Sequence, residues 1–345
     1  MSIEKSLFGT TKGGQDVYAY TIRNKNGMGA VVLTYGGALQ ALYVKDKHDK
    51  TRDVLVGFDD LQGFEERSDY QGVLVGRYAN RIAGGRYTVN GETVQVTKNE
   101  KDITCLHGGG EFSSAVWTAK VLAENAVEVS YTSPDGAEGF PGEMTASVVY
   151  TLTDDNALTL SYKASCTKDS FINLTNHAYF NLGGFDSGTV LGTQLCIHAS
   201  HYTPTDANGI PTGELRDVTG TAFDFRTAKA IGQDIGAKDE QLILCGGYDH
   251  NYCLDGGKDS PAVEAFDPHS GIRMKLFTTL PGVQLYTGNF LNGTIGKKRL
   301  PMYKHAGFCL ETQFYPDTPN RPEFPACLYK AGTVYTSETT MQFEA

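Results

Sequence analysis

Apolar and polar residues alternate with period two along most of this chain, as they do in strands with one buried and one hydrated face. The clearest case is residues 86–96, where two alternating runs flank Asn90-Gly91. An Asn-Gly pair supplies the positive φ angles of a type I′ turn, so a β-hairpin is predicted here. Residues 29–45 give the short runs AVVLTYGG and ALYV, punctuated by Gly36-Gly37. Further strands are expected at 117–121, 126–132, 145–152 and 157–164, with a turn at Asp154-Asp155-Asn156. The pattern continues through 193–198, 262–266, 272–278, 282–287 and 307–313, and ends near 333–343. No stretch of ten or more residues shows helical spacing, and the best helical candidate is 227–235. Many short strands with frequent turn signals predict an all-β sandwich or barrel-like fold.

Composition narrows this picture. The 345 residues show no linker, repeat or low-complexity break, so one domain spanning 1–345 is expected. Forty glycines and nineteen tyrosines suit turns and aromatic-rich strands. A net charge of −10 argues against nucleic acid or an acidic membrane surface as partner. The seven cysteines form no CxxC pair, and most sit in apolar runs, where a thiol acts as a small hydrophobe. With no basic n-region ahead of an apolar stretch in MSIEKSLFGTTKGG, and no bilayer-length apolar run, a cytoplasmic location is expected.

Several polar clusters interrupt the strands. In Asn173-Leu-Thr-Asn-His177-Ala-Tyr179-Phe-Asn-Leu, a strand would align Asn173, Thr175, His177 and Tyr179 on one polar face. A titratable imidazole among neutral hydrogen-bonding groups suits proton handling on a polar ligand, and equally suits a buried histidine satisfied by its neighbours. Asn80 and Arg81 could bind ligand oxygens, or tie down a loop, which is the role expected of Arg77. His107 precedes three glycines that would let backbone approach a ligand closely. Asp249 follows a glycine pair and could accept from a hydroxyl or cap a turn. Gln284 and Tyr286 share a strand face that, in isolation, reads as solvent-facing.

Glu311 carries the sharpest signal. In Phe308-Cys-Leu-Glu311-Thr-Gln it faces with Cys309 and Gln313, opposite Phe308, Leu310 and Thr312. A carboxylate in so apolar a run is costly to bury unless paired or functional, and burial would raise its pKa toward that of a useful base. Metal binding is the weakest option: His198-x-x-His201 has no completing ligand pattern, and P-loop, dinucleotide and nucleophile-elbow motifs are absent.

Taken in order, GRYANRIAGGRY, LHGG, EGFPG, NLTNHAYFNLGG, GYDHNY, VQLYTGNF and LETQFYPDTPN closely resemble the aldose 1-epimerases, also called galactose mutarotases. The resemblance covers the chain from about residue 30 onward. It implies the family's fold, a large antiparallel β-sandwich of galactose mutarotase-like type. It also implies interconversion of α and β anomers of a free hexose such as galactose or glucose, without metal or cofactor, by a monomer or homodimer. The motif positions carry the catalytic base onto Glu311 and the acid onto His177. They carry the sugar-binding residues onto Asn80, Arg81, His107, Tyr179, Asp249 and Gln284. Ala178 and Tyr252 depart from the family's usual serine and phenylalanine, which bears on sugar preference only. The competing readings are a hexose-6-phosphate mutarotase, a glycosidase using Glu311 with Asp249, and a non-catalytic sugar binder on the same fold.

Overall fold

The computed structural model describes residues 1–66 and 69–345. Three antiparallel sheets organise them. Five consecutive strands from Ser2–Thr10 to Thr51–Asp53 form an N-terminal meander. A nine-stranded sheet centres on Met144–Leu152, Ala157–Cys166, Val334–Glu344 and Arg273–Thr278. A seven-stranded sheet runs through Ala199–Thr203, Asp249–Leu254, Gly282–Tyr286, Phe308–Gln313 and Tyr179–Phe180.

The two larger sheets share one apolar core. Strand Met144–Leu152 alternates between buried and partly exposed positions, as a sheet with one dry face must. Its inward residues Ala146, Val148 and Tyr150 join Leu160, Leu276 and Met341 from the same sheet. The same cluster holds Val283, Leu285, Phe308, Leu310 and Phe180 from the seven-stranded sheet. Burying each such aliphatic or aromatic side chain is worth about 1.5–3 kcal/mol.

The expected strands appear within a residue or two of their predicted bounds. The hairpin pairs Arg86–Val89 with Glu92–Gln95, and Asn90 and Gly91 take φ of 52° and 82°. Two expectations are overturned. Residues 227–235 form no helix: Lys229–Ala230 is an edge strand on Gln194 and Leu195. The next amides, of Ile231 and Gly232, bond to the carbonyls of Thr193 and Leu191, so their hydrogen bonds go to neighbouring chain instead of a helical turn. Nor is 173–182 one strand. Thr175–Asn176 pairs with Leu74–Val75, whereas Tyr179–Phe180 pairs with Phe308–Cys309 and Leu55–Val56. The segment changes partner on either side of His177, which lies between the two pairings.

Short helices at Leu61–Glu66 and Glu240–Cys245 escaped the periodicity reading because six residues do not complete two turns. The second is capped at both ends. Asp239 accepts from the amides of Gln241 and Leu242, and Gly246 closes it at φ 67°.

Candidate active site

The site grows from the polar side of the seven-stranded sheet. Strands Gly282–Tyr286 and Phe308–Gln313 are buried along their whole length. Because Val283, Leu285, Phe308 and Leu310 face the main core, Gln284, Tyr286, Cys309, Glu311 and Gln313 project the other way. The solvent-facing reading of Gln284 and Tyr286 is therefore corrected: loops cover this face, and both side chains are buried. Register places Glu311 beside Gln284 and Gln284 beside Asn251. In the next row Tyr179, Cys309, Tyr286 and Asp249 are consecutive cross-strand neighbours.

Loops supply the rest. Residues 76–111 bring Asn80, Arg81, Glu100 and His107 to a cleft shared with Asp249 and Glu311, and Arg77 anchors the segment. Its guanidinium donates to Ser133 Oγ and to the carbonyls of Ser133, Pro134, Pro141 and Gly142. This is the loop-tying role expected of it. Asn80 and His107 sit in left-handed backbone, at φ 63° and 51°. Gly108 follows at φ 67°, and a Cβ there would lie 2.1 Å from the Gly76 carbonyl oxygen. Only glycine lets these two loop segments pass so closely.

The result is a cleft of about 150 Å³. Of the eight residues singled out in the sequence, Asn80, Arg81, His107, His177, Tyr179, Asp249 and Glu311 line it. Gln284 does not reach the wall. It lies beneath, donating from Nε2 to Asp249 Oδ1 at 2.7 Å, while Gln313 Nε2 donates to Gln284 Oε1 at 3.2 Å. Tyr179 contributes a ring more than a hydroxyl, since its OH donates to the Asp69 carbonyl at 2.8 Å. Tyr70, Glu100 and Phe290 also line the cleft and were not anticipated. Glu100 sits in the charged run KNEKD, which reads as a solvated loop, and Tyr70 and Phe290 lie in no strand pattern.

Glu311 Oε1 lies 3.6 Å from His177 Nε2, and both side chains are almost wholly buried. Glu311 Oε2 is buried with no hydrogen-bond partner among the described residues. An unsatisfied buried carboxylate oxygen is costly unless a ligand serves it. Burial, reinforced by the charge of Asp249 and only partly relieved by Arg81, holds the Glu311 carboxyl well above its usual range. Burial lowers His177 to about 4, against a weaker upward pull from its own backbone. The imidazole is stacked between Tyr70, at 5.8 Å between ring centres, and Tyr179, at 5.1 Å. Its Nδ1 faces Cys309 Sγ at 3.6 Å.

Around this pair stands a ring of charge. Arg81 makes a two-pronged contact with Glu100 and lies 3.8 Å from Asp249 Oδ2. Burial alone would lower the Arg81 guanidinium, but Asp249 and Glu100 outweigh it and hold the charge. Asp249 is itself raised by burial, against Arg81 and Gln284.

Ligand atoms of His107, His177 and Glu311 lie within 4.8 Å of one another, close enough for a metal ion. The donor chemistry is less suited. His107 Nδ1 accepts the Asn80 amide at 3.2 Å, which leaves the ring proton on Nε2 and no free lone pair for a cation. The arrangement offers instead a carboxyl, an imidazole and several fixed donors around a small polar space. It can move protons on a hydroxylated ligand.

Comparison with known proteins agrees. The family model described as aldose 1-epimerase matches residues 18–342. The chain is 40% identical to a galactose mutarotase of Bos taurus over 346 residues, 99% of each chain. It is 38% identical to an aldose 1-epimerase of Escherichia coli K12 over 337 residues, 96% of each. The crystal structure of a galactose 1-epimerase from Lactobacillus acidophilus superposes with a TM-score of 0.89, at 26% identity, covering 100% of this chain and 99% of the other. Family model and full-length relatives agree, and the chain belongs to the aldose 1-epimerase family.

Proposed function

We propose that this chain interconverts the α and β anomers of a free hexose, galactose foremost, with Glu311 as base and His177 as acid. One observation carries the assignment: a carboxylate oxygen and an imidazole nitrogen 3.6 Å apart, at the wall of a cleft lined by hydroxyl-binding groups. Glu311 takes the proton of the C1 hydroxyl while His177 Nε2 gives one to the ring oxygen. The C1–O5 bond breaks, leaving an open-chain aldehyde. Rotation about C1–C2 presents the other carbonyl face, and the two transfers run backwards to close the ring.

The shifts of the pair suit a reaction that must run equally well in both directions. In water a glutamate near 4.3 and a histidine near 6.5 would hold a proton unequally. Burial raises Glu311 and lowers His177, which brings the two toward and past one another. A neutral imidazole with a protonated carboxyl, and an imidazolium with a carboxylate, contain the same number of protons. The active state is therefore the pair with one proton between Glu311 and Nε2, and sugar binding selects how it is placed.

Asn80, Arg81, His107 and Asp249 are the hydroxyl ligands in this reading, and Gln284 orients Asp249. Among the described lining residues Arg81 is the one cation, against Asp69, Glu100, Asp249 and Glu311. That balance supports an uncharged sugar over a sugar phosphate. Residues from 69 to 311 meet in one cleft, which supports treating 1–345 as a single working unit. The test is polarimetry of freshly dissolved α-D-galactose with wild type and with Glu311→Gln. Acceleration that vanishes in the variant supports both reaction and base. Absence of acceleration by the folded wild type rejects the reading, and acceleration surviving the substitution moves the base elsewhere.

A further inference from the structure

Acid catalysis by His177 requires its two ring nitrogens to behave differently, and the structure shows different neighbours for each. Nε2 faces Glu311 across the cleft, while Nδ1 faces the Cys309 sulfur at 3.6 Å. Cys309 and Glu311 are two residues apart on one strand face, so a single stretch of backbone presents both partners to the one ring. Resting on the proposed function, we infer that Cys309 is a positioning residue: its sulfur accepts the His177 Nδ1–H and so reserves Nε2 for the proton exchanged with the sugar.

Comparison with the other buried histidines supports this. His107 and His250 each receive a backbone amide on Nδ1, from Asn80 at 3.2 Å and from Asp249 at 3.1 Å. A backbone amide is always a donor, so those two rings carry their neutral-state proton on Nε2. Among the described residues no backbone amide donates to His177 Nδ1, which faces sulfur instead; a thiol can weakly donate or accept, and acceptance is the arrangement that leaves Nε2 open. Burial, with smaller contributions from Glu311 and Asp249, keeps the Cys309 thiol protonated and uncharged.

The choice of sulfur has a chemical consequence. A carboxylate at Nδ1 would stabilise the imidazolium and make His177 a reluctant acid. An uncharged sulfur fixes the ring without that effect, and so leaves His177 a ready proton donor. When Nε2 gives its proton to the ring oxygen, the neutral ring keeps its proton on Nδ1, toward sulfur, and Nε2 is free to take the proton back.

The experiment combines imidazole 15N NMR of the whole protein, His177 being identified by loss of its signals in His177→Gln, with kinetics of Cys309→Ala and Cys309→Ser. In wild type above the titration of His177, Nδ1 should be the protonated nitrogen. Cys309→Ala should shift the ring toward the Nε2–H tautomer and lower kcat about 10–100-fold, as loss of an imidazole's outer hydrogen-bond partner does at metal sites, with KM unchanged. Cys309→Ser, which replaces the sulfur with a smaller oxygen that still accepts, should recover most of that kcat. A wild-type ring protonated on Nε2, a folded Cys309→Ala with full kcat, or equal losses in both variants would each overturn the inference. The tautomer is read without substrate, so a protein that fails to accelerate mutarotation would reject the proposed function while the spectrum still decides the role of Cys309.

Discussion

Arg81 engages Glu100 through Nε and Nη2, at 2.8 and 2.9 Å, leaving Nη1 turned toward Asp249. The carboxylate thereby fixes the plane of the guanidinium at the cleft wall. Glu100→Ala should release it. Hydrogen bonds to charged groups are worth about 1.5–3 kcal/mol, so KM for galactose should rise by about ten- to a hundredfold with kcat less affected. Initial-rate polarimetry over a range of sugar concentrations measures both.

Glu311→Gln should lower kcat by ~10²–10⁴-fold, the contribution of a positioned base, and should also stabilise the fold at neutral pH. The carboxyl is raised in the folded state, so between its unfolded and folded pKa values the unfolded chain ionises while the folded chain holds its proton. Stability is therefore highest below the unfolded value and falls as pH rises. The amide has no such penalty. Thermal melts should show the variant's advantage at pH 7 and its disappearance in acid.

The pH dependence of kcat/KM should be bell-shaped. In the proposed mechanism, activity needs one proton on the Glu311–His177 pair. A second proton, added as pH falls toward the lowered His177 value of about 4, disables the base. Loss of the shared proton on the alkaline side removes the acid. A flat profile, after subtraction of the spontaneous rate, would count against the pair.

Gly108→Ala should damage both stability and binding. The added Cβ meets the Gly76 carbonyl, and the residue must hold φ at 67°. Left-handed backbone in a non-glycine residue costs about 1–3 kcal/mol before any clash is relieved. A lower melting temperature together with a raised KM is expected, since His107 is the adjacent residue.

Much of this was legible in the sequence because period two is a local property. The strands carrying Gln284 and Glu311 could be read from their own side chains, as could the Asn90-Gly91 turn. What stayed hidden depended on partners far along the chain. Gln284 and Tyr286 read as solvent-facing because nothing within their own strand announces the distant residues, such as Asp249, Arg81 and His107, that gather on this face. Glu100 carried no signal of its own because its partner, Arg81, meets it only in the folded chain. Cys309 read as a small hydrophobe because sulfur becomes a hydrogen-bonding group only beside an imidazole from residue 177.

The division between sheet and loop has a use in engineering. Glu311, Cys309 and Asp249 are set by strand register, and His177 lies just before the two-residue strand Tyr179–Phe180. Asn80, Arg81 and His107 arrive on a separate loop anchored by Arg77. On the proposed roles, part of hydroxyl recognition can therefore be redesigned by grafting or randomising that loop, with the proposed proton-transfer pair and Asp249 left on their own frame.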